Sequence, residues 1–342
     1  MGLPQSELHQ SELLQFAAIQ QKQCRLYEVE QSLEDSHLHA VIRKLETAGF
    51  HVIYSKKESR RTLGIVGNPE ASPDTSLDEI RPFLTTLQVI KPYKLASHEF
   101  HLTRTVVQIG EEVIGDRNIP LVSACDDLSS LRTVLSAKNN SSPGAIFIDL
   151  SFDLYEQGVK NSALEILKSQ RINSDKQFII RVDSSETMNQ VIDSADALYI
   201  HGNQMQNYNL LQDAAQSLLP VFLERGIRST MDEWLAAAEY ILANGNPNLI
   251  LSTRGIRTFA NDQDELTMDV ASIPMLKSLT HLPVVVDVRS AAQSAGQLQS
   301  ISAAAVASGA DGLFFPSGEI PVTGGKEQEK LKLIASSLGR KM

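Results

Sequence analysis

From about residue 116 the chain alternates short, nearly continuous apolar runs with amphipathic stretches. The runs are LVSAC (121–125), AIFIDL (145–150), QFIIRV (177–182), ALYIHG (197–202), PVFLERG (220–226), LILSTRG (249–255), PVVVDV (283–288) and GLFFPS (312–317). A run that is apolar at successive positions predicts a strand buried on both faces, as in a parallel sheet covered by helices. Between the runs, segments such as SALEILKSQ, SETMNQVIDSA, NYNLLQDAAQSL, TMDEWLAAAEYILANG and SISAAAVASGA carry helical periodicity. Eight such units fit an α/β fold built as a closed parallel (β/α)8 TIM barrel better than an open doubly wound sheet. The barrel is assigned to residues 116–342.

Upstream the period changes. CRLYEV alternates as a strand, and SHLHAVIRKLETAGF sets Leu38, Val41, Ile42 and Leu45 on one helical face before Gly49 ends it. HVIYSK and TLGIVG read as two strands, SLDEIRPF as a second helix and TLQVIK (86–91) as a last strand. That βαββαβ order over residues 24–92 predicts a small ferredoxin-like domain, which alone licenses no function. Residues 1–23 read as a Gln-rich N-terminal helical extension, with the helical spacing over 4–22. Residues 93–115 read as a linker and a hairpin, TVVQIGEEVI, that plugs one end of the barrel.

Composition narrows the class. At 342 residues the chain is long enough for a large and a small domain with full cores. Cys24 and Cys125 are its two cysteines, too few for a disulfide framework, so a reducing cytoplasmic setting is expected. A net charge of −10 argues against sequence-independent binding to nucleic acid or an anionic membrane, both of which need a basic surface. No apolar run approaches the roughly 20 residues that span a bilayer.

In a barrel the chemistry sits at the carboxyl ends of the strands. Those ends offer Cys125 with Asp126 and Asp127; Asp149 and Asp153; Arg181 and Asp183; His201 with Asn203; Glu224 and Arg225; Arg254 and Arg257; Asp287 and Arg289; and Ser317. This is a mouth of mixed charge. Strand-end charges also pair with one another and cap helices. Arg254 is suited either to hold a phosphate with its planar fork or to pair with Glu224 on the preceding strand. Cys125, His201 and an aspartate form a conceivable metal set, although a divalent metal needs three or four converging groups. No Walker loop, dinucleotide glycine pattern or Gly-x-Ser-x-Gly elbow occurs.

The order and spacing of KPYKLASHEFH, GNQMQNYNLL, PVFLERG, EWLAAAEYILANGNPN, RGIRTF, HLPVVVD and ASGADGL resemble the 3-deoxy-7-phosphoheptulonate (DAHP) synthases that carry an N-terminal ferredoxin-like regulatory domain. The resemblance covers nearly the whole chain after residue 24. It implies a barrel enzyme of the shikimate pathway of aromatic amino acid biosynthesis. Such an enzyme condenses phosphoenolpyruvate with erythrose 4-phosphate, with a divalent metal polarising the aldehyde and basic residues holding two phosphates.

Carried over position by position, the resemblance also implies that much of this machinery is replaced. Of the family's four metal ligands the cysteine matches Cys125, whereas the histidine falls on Ser290 and the glutamate on Pro316. The loop of the last aspartate reads IPVTGGK, without a carboxylate. The arginine ending strand two corresponds to Ile148, and the Lys-Pro-Arg-Thr loop has become DLYE, with Asp153 and Tyr155. The arginine of Gly-Ala-Arg-Asn is Asn203, the lysine of Lys-Arg-Gly is Glu224, and the glutamate before Arg-Gly-Ile-Arg is Thr253. Arg225, Arg254, Cys125 and Asp287 are left as ligand-binding candidates. The expectation is a degenerate synthase with no metal, no cofactor and no catalytic residues. It would act as a regulatory or scaffolding protein through a homo-oligomer or a protein partner such as an active DAHP synthase. An active synthase, or a barrel enzyme with an altered substrate, is the alternative.

Overall fold

Eight parallel strands close on themselves in the computed structural model, which describes residues 24–67, 72–89, 91–136, 144–149, 164–169, 176–258, 266–292, 294–317 and 326–342. The chain divides into two compact units between Thr103 and Arg104.

In the first unit β1 (Cys24–Val29), α1 (Asp35–Thr47), β2 (His51–Lys57), β3 (Arg60–Val66), α2 (Asp74–Leu77) and β4 (Leu84–Thr86) follow in the predicted βαββαβ order. The antiparallel sheet runs β2-β3-β1-β4. Leu38, Val41 and Leu45 of α1 are fully buried against Leu63 and Ile65 of β3, the face the sequence marked out. Two elements differ from expectation. The second helix is a single turn, Asp74–Leu77, followed by a 3-10 turn, Arg81–Phe83, that contains Pro82. The last strand is Leu84–Thr86, set by its pairing with Tyr27–Val29, and shares only Thr86 with the expected run 86–91. The helix expected over 4–22 lies outside the described residues.

In the second unit the barrel strands are β7 (Leu121–Cys125), β8 (Ala145–Ile148), β9 (Gln177–Val182), β10 (Ala197–Ile200), β11 (Val221–Glu224), β12 (Leu249–Thr253), β13 (Val284–Asp287) and β14 (Gly312–Pro316). Each of the eight lies within a predicted apolar run. They pair in sequence order, and β14 closes against β7. Between them lie α3 (Leu128–Ser136), α4 (Ser185–Val191), α5 (Tyr208–Gln216), α6 (Met231–Ala243), α7 (Ser272–Leu279) and α8 (Ala295–Ala307), with α9 (Lys326–Ser337) after β14.

Side chains alternate between the barrel interior and the helix layer. The interior is stacked in levels. At the amino end β5 (Val107–Ile109) and β6 (Glu112–Ile114) form the expected hairpin, and Val107, Ile109 and Ile114 join the interior cluster. Above them Phe147, Tyr199, Phe222 and Phe314 pack with ring centroids 4.5 to 6.1 Å apart. The strand ends above this aromatic level carry the charges. α6 is anchored by a capping box between Thr230 and Glu233, and buried Trp234 donates its indole N–H to the Leu223 carbonyl at 3.1 Å.

The hairpin's exit turn depends on Gly115, at φ +101, where a Cβ would lie 2.4 Å from the Thr105 backbone oxygen. Gly339 has φ +70 but open space around it. Urea unfolding of Gly115→Ala is expected to show a loss of about 2–3 kcal/mol, combining a disfavoured conformation with a backbone clash, against about 1 kcal/mol for Gly339→Ala. Equal losses would show that the contact with Thr105 does not constrain the turn.

Candidate functional site

Phe222 of β11 points into the barrel, so Glu224, two residues on, does too. Its carboxylate is only 1% exposed. Tyr199 donates to Glu224 Oε2 at 2.7 Å, and Ser252 Oγ lies 3.0 Å from the same phenol oxygen. Arg254 reaches Glu224 from the end of β12, with Nε 3.1 Å from Oε1. Neither of these two atoms is satisfied by hydrogen-bond geometry, so their contact is a charge pairing rather than a directed bond. His201 Nε2 stands 3.6 Å from Glu224 Oε1, and His201 Nδ1 accepts the Asn203 amide hydrogen at 3.2 Å. Gly202 makes room for this group, since a Cβ there would lie 2.6 Å from the Arg225 carbonyl oxygen and 2.9 Å from Glu224 Oε1.

Burial raises the Glu224 pKa; Arg254 and the Tyr199 hydrogen bond oppose that rise, and Asp287 adds to it. Burial, with Arg181 and Arg254 nearby, pushes His201 down to about 3, so its contact with Glu224 is that of a neutral imidazole. Burial, and then Glu224 and Asp287, push the Tyr199 phenol well above its usual range.

Two further clusters flank this centre. Arg181 places Nη1 3.1 Å from both oxygens of Asp149 and Nε 3.1 Å from Asp183. Arg289 grips Asp287 with two parallel bonds, Nε to Oδ1 at 2.9 Å and Nη2 to Oδ2 at 2.7 Å. It also pairs with Asp126, and its guanidinium carbon lies 5.2 Å from the Phe147 ring centroid. Burial alone would lower the Arg289 pKa, but Asp287 and Asp126 outweigh it and raise it. Among the described mouth residues, then, Asp126, Asp149, Asp183, Glu224 and Asp287 face three guanidinium groups, those of Arg181, Arg254 and Arg289. Each of these three cations is already matched to a carboxylate and the balance is acidic, while Arg257, on the loop after β12, is exposed and makes no ion pair with a described residue. Such a surface repels a dianionic phosphate.

The other expected positions are dispersed. Arg225 turns away from the mouth: it holds the Ser229 carbonyl at 3.0 and 2.8 Å and Asp269 at 2.9 Å, clamping the loop before α6. Val122 and Ala124 belong to the interior cluster, so alternation turns Cys125 toward the helix layer, where burial and then Asp126 raise its thiol pKa to about 12. Ile148 is outward by the same alternation beside interior Phe147, and Thr253 is outward beside interior Ser252, its hydroxyl accepting from Gly255 at 3.4 Å. Asn203 lies in a 3-10 turn, Ser290 in the turn after β13, and Pro316 closes β14 against β7. Asp153 and Tyr155 lie outside the described residues, as does most of the IPVTGGK loop.

The donor set for the family's divalent metal does not fit here. Cys125 faces the helix layer, Ser290 and Pro316, the positions the resemblance matches to two other ligands, offer no imidazole or carboxylate, and Arg289 saturates the nearby carboxylates. Among the described residues no group of three or more His, Cys, Asp and Glu side chains could hold a metal ion. Sequence reasoning missed Tyr199 and Ser252 as parts of the centre. The available signal was chemical: a phenol within an apolar strand needs a hydrogen-bond partner once buried.

The two titrating groups at the centre give opposite pH slopes. His201 binds protons less well folded than unfolded, so its contribution is present above pH 6.5 and is lost as pH falls toward about 3. The slope is about 1.4 kcal/mol per pH unit in that window. Glu224 binds protons better when folded, so its contribution is present below pH 4.5 and is lost as pH rises through its raised pKa. Urea unfolding of His201→Gln across pH 3 to 8 should show a shallower acid loss than the parent, and Glu224→Gln should gain relative stability toward neutral pH. Parallel curves for parent and variants would contradict the assigned protonation states.

Among the described residues no helix is long and apolar enough to cross a membrane. The phospho-2-dehydro-3-deoxyheptonate aldolase of Thermotoga maritima is 26% identical over 328 residues, spanning 90% of this chain and 97% of that protein. The crystal structure of a phospho-2-dehydro-3-deoxyheptonate aldolase (DAHP synthase) from Thermotoga maritima superposes with a TM-score of 0.64 at 25% identity, covering 93% of this chain and 98% of that one. A truncated form of 3-deoxy-D-arabino-heptulosonate 7-phosphate synthase from the same organism gives 0.59 at 25% identity, over 72% and 95%. Residues 128–330, more than half of the sequence, match the DAHP synthetase I family, and the chain belongs to that family.

Proposed function

We propose that this chain is a DAHP synthase-like pseudoenzyme, a member of its family that no longer condenses phosphoenolpyruvate with erythrose 4-phosphate. On this reading the barrel acts as a regulatory or scaffolding subunit, by self-association or by binding a protein such as an active synthase in the cytoplasm. The observation that carries the reading is Glu224. It stands where the resemblance calls for a lysine, it is 1% exposed, and its charge is taken up by Arg254, the arginine best placed to hold a phosphate. Burying a second anion beside it would cost several kcal/mol. The misfit of the metal donor set supports the same reading.

A second reading is favoured by a different observation. The similarity to a protein named as an aldolase runs over 97% of that protein's length, and nothing in the comparisons speaks for a regulatory role. On the comparisons alone, an active transferase of the shikimate pathway is the better-supported assignment. An altered enzyme would instead use the acidic mouth, Asp149, Glu224 and Asp287, around a new substrate.

Incubation of the purified chain with phosphoenolpyruvate, erythrose 4-phosphate and Mn²⁺, Co²⁺ or Zn²⁺ separates these readings. The expected result is no phosphate release, and none after Glu224→Lys, because the metal donors are still missing. Turnover within a hundredfold of a typical rate near 10 s⁻¹ would remove the first reading in favour of the second.

A further inference from the structure

The barrel's opposite face, at the amino ends of the strands, carries a second cluster of charge around a cavity of about 360 Å³. Its walls include Arg104 before the hairpin, Asp116 after it, Pro274 and Lys277 of α7, Asp311 before β14, and Arg340 after α9. That volume is at the lower end of small-molecule pockets and roughly ten times a water molecule's share of the liquid.

The carboxylates of this cavity are already committed. Asp311 is 3% exposed; it accepts the Val284 amide hydrogen at 2.8 Å and Arg340 Nη2 at 3.1 Å, and it pairs with the Lys277 ammonium. Asp116 accepts both N–H groups of Asn118, at 2.7 and 2.8 Å. The cations are in surplus. Lys277 and Arg340 share the one Asp311 carboxylate, and Arg104 makes no ion pair or hydrogen bond with any described residue. Three cationic side chains thus line a concave surface against two carboxylates, Asp311, shared by Lys277 and Arg340, and Asp116, bonded to Asn118, which leaves Arg104 as the surplus cation.

We infer that this cavity is a binding site for a small organic anion, with Arg104 and Lys277 holding an oxyanion head group of phosphate or carboxylate type. Guanidinium and ammonium donors are the groups that recognise such oxygens. The aliphatic stems of Arg104 and Lys277, with Pro274, leave room for a compact apolar body. Burial lowers the Lys277 amine to about 8; Asp311 opposes this, and Arg104 and Arg340 add to it, as a positive local field requires. The site is separate from the mouth and does not depend on whether the chain catalyses the family's reaction.

The test is calorimetric titration of the full chain with inorganic phosphate and, separately, with malonate, each against chloride at matched ionic strength. At least one of the two anions should bind in the millimolar range or tighter, and the tighter one identifies the head-group class. Arg104→Gln, which removes an exposed side chain with no partner among the described residues, should weaken that binding about tenfold without moving the unfolding midpoint of the unliganded protein. Arg254→Gln, at the other end of the barrel, should leave it unchanged. The inference is overturned if neither anion exceeds chloride, if Arg104→Gln has no effect, or if Arg254→Gln abolishes binding.

Discussion

A carboxylate that is 1% exposed inside a parallel barrel must be compensated from within, because water is excluded and an unpaired buried charge costs several kcal/mol. Glu224 sets that requirement at the centre of the mouth. Tyr199, Ser252 and Arg254, on the neighbouring strands, answer it, and His201 stays neutral beside them. The aromatic level below, where Tyr199 packs on Phe147 and Phe222, positions the phenol that reaches the carboxylate. Core packing and mouth electrostatics are therefore one arrangement. Removing Arg254 alone would leave a buried anion, whereas removing the carboxylate as well would relieve it.

The same logic extends around the rim. Arg181 and Arg289 each bridge two aspartates and Arg254 pairs with Glu224, so of the described mouth guanidinium groups only exposed Arg257 is left without an ion pair to a described residue. A site built for anionic substrates keeps its cations only partly neutralised until the ligand arrives. Here the protein's own carboxylates occupy them. Family membership explains the barrel, and the proposed loss of activity rests on this internal neutralisation.

The architecture was readable from the sequence because strands buried on both faces leave apolar runs that short polar turns cannot obscure. All eight barrel strands and the plugging hairpin appeared as expected, and of the two roles open to Arg254 the structure shows the pairing with Glu224. What was not readable was parity at the strand ends. In LVSAC nothing in the sequence says whether Ala124 or Cys125 looks inward, and a shift of one residue exchanges interior for exterior. For that reason the strand-end reading includes Cys125 in the mouth and omits Ser252 and Tyr199. Arg225 was misplaced for another reason: its partners, Ser229 and Asp269, come from loops whose path no periodicity encodes. In the N-terminal unit the second helix is one turn, and nothing in the apolar period of its segment marks where it ends.

The central claim is that the mouth neutralises itself and so has no affinity for the family's anionic substrate. Equilibrium titration of the purified chain with phosphoenolpyruvate, in the presence of Mn²⁺, tests it most directly. The account predicts no saturable heat or fluorescence change up to millimolar concentration that is lost on Arg254→Gln. Saturable binding in the micromolar range, abolished by Arg254→Gln, would contradict it.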